Sequence, residues 1–105
     1  MTMQIGTFYD NGARLEGLIA TRKLNNLGTV IIAPYEKSSP DSSEPDYLVY
    51  TGPFQIGRGW KQITKDGERE YINLIIDDPH MDHEIRARLV QQGDKHILLW
   101  ERIAD

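Results

Sequence analysis

Six residues between Asp77 and Glu84 could do chemistry together. Asp77, Asp78, His80, Asp82, His83 and Glu84 place carboxylates and imidazoles within one short stretch. Imidazole suits zinc, copper or nickel, and carboxylate suits calcium, magnesium or manganese. On a loop, Asp78, His80, Asp82 and His83 form the set that would converge on a metal ion. Their spacing matches no established metal motif. Asp77-Asp78-Pro79 also makes a turn whose carboxylates accept local backbone hydrogen bonds, so a solvated acidic turn is the competing reading. As a catalytic carboxylate pair, Asp77 and Asp78 face opposite sides of a strand unless a turn redirects them.

A second set points to recognition. Tyr47, Tyr50, Phe54, Trp60 and Tyr71 interleave with Arg58, Lys61, Lys65 and Arg69. Small β-barrels bind single-stranded nucleic acid by stacking bases on exposed aromatics along a basic groove. Tyr50, Arg58, Lys61, Lys65 and Arg69 are the residues expected to do so here. The competing reading puts Phe54, Trp60 and Trp100 in the core and leaves Arg58 and Lys61 as ordinary solvent-facing strand residues.

Other chemistries find no support in the chain. Without cysteine there is no disulfide, thiolate nucleophile or thiolate metal site. There is no Gly-x-Ser-x-Gly elbow and no Walker loop. Gly57-Arg58-Gly59 lacks the third glycine and the strand-to-helix setting of a dinucleotide motif, and reads instead as a bulge or bend near Trp60. No nucleophile–base pair can be assembled, so a non-enzymatic role without a cofactor is expected.

The 105 residues make one domain, with 39% hydrophobic and 27% charged residues, an ordinary globular balance. The net charge of −4 argues against a general nucleic-acid coat, because non-specific affinity comes from neutralising phosphates. A local basic face remains open. The residues from Met1 to Asp10 lack the basic and apolar regions of a signal peptide, and no apolar run approaches the roughly 20 residues that span a bilayer. A cytoplasmic location without membrane contact is expected.

Turn residues recur at the spacing of an all-β domain. Asp10-Asn11-Gly12, Asn25-Asn26-Leu27-Gly28, Lys65-Asp66-Gly67 and Gly93-Asp94 each separate two strand-like segments. Arg86 and Arg88 share one face, opposite Ile85, Ala87 and Leu89. Ile72, Leu74 and Ile76 share another. The arginine alternation favours a strand over a helix for the segment ending at Arg88. These signals predict an all-β, antiparallel meander of about eight strands in a closed or nearly closed barrel, with a two-sheet sandwich as competitor. The expected core includes Ile5, Leu15, Ile32, Val49, Ile56, Trp60, Ile72, Leu74, Leu89 and Trp100. The polar, proline-rich segment from Lys37 to Pro45 reads as a mobile loop.

Ile5-Gly6-Thr7-Phe8, Glu36-Lys37-Ser38, Pro45-Asp46-Tyr47, Ile56-Gly57 with Trp60-Lys61, Asp77-Asp78-Pro79, and Trp100 with Arg102 together resemble the bacterial DUF736 family of small proteins. The resemblance spans nearly the whole chain. It implies an accessory role on plasmids and conjugative elements, and it implies no activity, cofactor or catalytic residue. The chain departs from the family pattern at Arg58-Gly59 and at His80-Met81-Asp82-His83-Glu84. The expected function is a non-enzymatic accessory binding module of a mobile element, with a protein partner or a second copy bound. The alternative is single-stranded nucleic-acid binding.

Overall fold

Residues of alternating polarity generate strands, and the eight that form run in an unbroken antiparallel meander. They are β1 (Thr2–Asp10), β2 (Leu15–Ile19), β3 (Val30–Pro34), β4 (Tyr47–Thr51), β5 (Phe54–Ile63), β6 (Glu70–Ile76), β7 (Ile85–Gln92) and β8 (Lys95–Glu101). The computed structural model describes residues 2–21, 28–39, 42–79, 81 and 83–101. Each strand pairs with the next, and β8 returns to β1, so the sheet closes into a barrel. Closure settles the barrel against the sandwich.

The turns follow the glycines. Gly12, Gly67 and Gly93 take positive φ between β1 and β2, β5 and β6, and β7 and β8. Gly52, which the sequence pattern did not single out, does the same between β4 and β5. Of the fourth expected turn, only Gly28 lies within the described residues.

Inward side chains fill the barrel, as an eight-stranded barrel allows. Phe8, Val30, Ile32, Val49, Leu74, Ile76, Leu89 and Leu98 are almost fully buried, and Ile5, Leu15 and Ile56 join them. Tyr47, Ile72, Met81, Ile85 and Trp100 pack against this cluster while half exposed. Among the described residues, no polar or charged one is buried.

Trp60 corrects the expected core. A register shift between Val49 and Tyr50 puts Gly57 and Gln55 opposite them and leaves Ile56 as the extra residue of a β-bulge. Ile56 and Gly57 are both buried, so the alternation changes phase there: Gly59 faces in, while Arg58 and Trp60 face out. A similar shift between Gln4 and Gly6, opposite β8, lets Ile5 and Phe8 both reach the core.

Close approach of strands demands glycine at specific positions. A Cβ at Gly17 would run into the Thr7 carbonyl oxygen and lie 2.7 Å from the Phe8 Cα. Both obstacles are backbone or immediately attached to it and cannot swing away. Gly17→Ala should therefore cost about 3 kcal/mol in urea unfolding, a typical overpacking penalty. Gly12→Ala has open space around it and only a positive φ to strain, and should cost about 1 kcal/mol. A Gly17→Ala protein as stable as Gly12→Ala would show that β1 and β2 do not approach this closely.

Candidate functional site

With the interior packed by apolar side chains, the chemistry-bearing residues lie on the outer wall and at the barrel ends. Across β5, β6 and β7, Trp60 stands opposite Asn73, and Asn73 opposite Arg88. Two residues along, Arg58 stands opposite Ile75, and Ile75 opposite Arg86. All six alternate with the inward residues Gly59, Leu74 and Ala87, so they share the outer face. The Arg58 guanidinium carbon lies 5.8 Å from the centroid of the Trp60 ring, a cation–π distance.

Hydrogen bonds hold the described residues of the segment between β3 and β4 against one end of this wall. Trp60 Nε1 donates to the Ser43 carbonyl oxygen at 3.1 Å. Asp46 binds in three directions. Its amide donates to the Gly59 carbonyl oxygen (2.8 Å), its Oδ2 accepts from the Lys61 amide (2.8 Å), and its Oδ1 pairs with Lys37 Nζ (3.0 Å). Glu44 Oε2 accepts from the amide and hydroxyl of Ser38, each at 2.9 Å. The Lys61 amide, helped by the Lys37 ammonium, holds the Asp46 carboxyl below the usual carboxylate range. The Ser38 donors lower Glu44 in the same way.

The expected nucleic-acid residues do not form one cluster. Arg58 is exposed on the wall, and Tyr50 shares the outer face on β4, opposite Ile31 and Gln55. Lys61 falls in the inward phase at the barrel mouth, its Nζ 5.9 Å from the Tyr47 ring centroid. Lys65 and Arg69 are exposed in the connection after β5. The wall instead brings Arg58 together with Trp60, Arg86 and Arg88. The arginine alternation marked Arg86 and Arg88 as one face. Their neighbourhood with Trp60 depends on the β5 bulge, which falls at Ile56, beside the Gly57-Arg58-Gly59 expected to bend.

Of the expected metal ligands, His80 and Asp82 lie outside the described residues. Asp78 is half-buried in a turn whose carbonyl oxygen accepts from the Met81 amide at 2.8 Å, and His83 is exposed. Among the described residues, no three His, Asp or Glu side chains gather into a possible ion site.

A different surface lies on β1 and β2. Tyr9 and Leu18 are 56% and 61% exposed, and they line an open groove of about 610 Å³ with Gln4, Thr7 and Ala20. Its apolar character continues sideways: Leu18 pairs with Thr7, Thr7 with Ile97, and Ile97 with Val90. Ile97 is buried although its phase is opposite to that of the inward Leu98.

The Asp46 brace has a pH signature. A carboxylate held below its ordinary value contributes stability above that value and loses the contribution as pH falls through the lowered one. Asp46→Ala should lower stability by about 1–3 kcal/mol at neutral pH, the range for hydrogen bonds to a charged group. The gap to the unmodified protein should stay constant at neutral pH and shrink below about pH 4. Denaturant unfolding across that range checks this, and a gap that persists at pH 2 would show that the carboxylate's charge is not what braces the loop.

No curated protein and no solved structure gave a match to this chain. The DUF736 profile, described as a protein of unknown function, matches residues 4–103. Together with the residues that carry the resemblance, that match over nearly the entire barrel shows that the chain belongs to the DUF736 family.

Proposed function

We propose that this protein is a non-enzymatic accessory binding module that engages a protein partner, or a second copy of itself, through the outer wall of its barrel. The observation that supports this most is the apolar face of β1 and β2, where Tyr9 and Leu18 stand exposed beside an open groove. Exposed apolar patches of this kind mark interaction sites more often than scattered surface residues do. A filled barrel favours recognition on the wall, because an internal ligand would have to displace Phe8 and its neighbours. Closure of the sheet leaves no edge for strand addition, so contact through side chains is the expected mode. The mobile-element setting implied for the family would make the partner a product of the same element.

The test is paired capture and light scattering with the intact protein and a Tyr9→Ser/Leu18→Asp variant. Both positions are exposed, so the variant should keep its melting temperature. Capture from the native host in the presence of nuclease should yield a protein partner, or light scattering should show a dimer. In either case the variant should bind at least tenfold more weakly, as expected when central apolar contacts are lost. Capture that disappears with nuclease, or binding unchanged in the variant, would remove this reading.

A further inference from the structure

Charge is segregated in this barrel. The chain is net acidic, yet around β5 to β7 its outward acids lie off the strands: Asp66 and Glu68 in the connection after β5, Asp77, Asp78 and Glu84 in the connection after β6, and Glu44 and Asp46 in the brace before β4, where Asp46 is already held by Lys37 and the Lys61 amide. The outward positions of β5 to β7 carry Arg58, Arg86 and Arg88 and, among the described side chains there, no carboxylate. We propose that this wall binds single-stranded nucleic acid, a surface separate from the β1–β2 face.

The geometry is a patch with arginines at three corners and an indole at the fourth. Neighbouring strands lie about 4.8 Å apart, so Arg58 and Arg86, two strands apart, are separated by about 10 Å. Arg86 and Arg88 are about 7 Å apart along β7. Trp60 completes the patch, with Asn73 between it and Arg88. Tyr71 stands diagonal to Trp60 on the same face, within reach of an aromatic side chain.

Each group suits an unpaired strand. Guanidinium forks match phosphate oxygens in two-point contacts. Trp60 has its indole N–H already satisfied by the Ser43 carbonyl, which fixes the ring's orientation and leaves π-surface as its remaining means of recognition. Bases stack on such surfaces without regard to sequence, and only when unpaired. Asn73 adds an amide that can donate to or accept from a base edge. Arg86 is held by Glu84 through its Nε and Nη2 at 3.0 and 2.8 Å, but its side chain is 61% exposed. Exposed ion pairs are weak, so a phosphate can take the place of Glu84. Acidic connections at both ends of the strands direct the bound chain across β5, β6 and β7 rather than along them. The contact is thus short and involves about three phosphates, with affinity strongly dependent on salt.

Fluorescence anisotropy with a labelled oligothymidylate of about 15 nucleotides tests this with the full chain. Binding should appear at low salt in the micromolar range, and log K should fall against log salt with a slope of about −2, or about 0.7 per phosphate. Arg58→Gln/Arg86→Gln/Arg88→Gln should weaken binding at least tenfold and flatten the slope. Arg58→Gln alone should weaken it severalfold, which keeps the test decisive if the triple variant fails to fold. Lys61→Gln/Lys65→Gln/Arg69→Gln should stay within about twofold, because these residues lie off the wall. In a Trp100→Phe background, the oligonucleotide should quench the remaining Trp60 emission. The proposal is overturned by absence of binding at tens of micromolar protein in low salt, by equal loss in the two triple variants, or by an unaltered Trp60 signal. Polyglutamate that binds as tightly and quenches Trp60 equally would also overturn it, making the wall a surface for acidic protein.

Discussion

The pairing of β1 with β8 is the constraint on which the other features depend. It joins the first strand of the meander to the last, from Thr2 opposite Glu101 to Phe8 opposite His96. Seven of the eight ladders connect strands adjacent in sequence, and this one does not. It carries the largest loop-closure entropy and forms only when the rest of the sheet has curved far enough. Two bulges supply curvature, one on β1 beside the seam and one on β5 on the far side. Glycines let strands approach where the bend is tight, as at Gly57, where a Cβ would sit 2.5 Å from the Ile75 carbonyl oxygen. Once the seam is made, every ladder has a partner and inward side chains are shut from water.

That closure assigns roles to the two faces of every strand. The inner face is apolar packing around Phe8, Ile32 and Leu74. The outer face is chemically uneven, with Tyr9, Leu18 and Ile97 on one side, and Arg58, Trp60, Arg86 and Arg88 on another. The brace between β3 and β4 connects the two levels. Asp46 ties Lys37 and the β5 backbone together beside Trp60, and Ser43 fixes the indole. Packing thus sets the shape, and a few charge-assisted hydrogen bonds set the orientation of one wall residue.

Much of the fold could be read from local pattern. Gly12, Gly67 and Gly93 marked turns because only glycine takes positive φ cheaply, and each does so. The alternation of Arg86 and Arg88 against Ala87 and Leu89 gave the faces of β7 correctly. Trp60 failed for a physical reason. Counting in twos from Ile56 places Trp60 inward, and one extra residue in the β5 bulge reverses that phase. Arg58 and Lys61, three positions apart on the unbroken stretch after the bulge, face opposite ways by alternation alone, so residues close in sequence do not make one site. The bracing by Lys37, Ser38 and residues 42–46 was also illegible, because the serines there and Pro45 read as loop while tethers such as Trp60 to Ser43 span 17 positions. Neither wall surface belongs to a sequence motif. Each exists because register places residues from different strands side by side.

Amide hydrogen exchange across the barrel tests the closed, filled architecture most directly. Under native conditions, the hydrogen-bonded amides of β1 and β8 should share the highest protection of those in β5 and β6, within about 1 kcal/mol, because all exchange through one global opening. Seam amides that exchange orders of magnitude faster than those of β5 and β6 would contradict the account. They would show that β1 and β8 separate on their own and offer edges for strand addition, moving recognition from the wall to the seam.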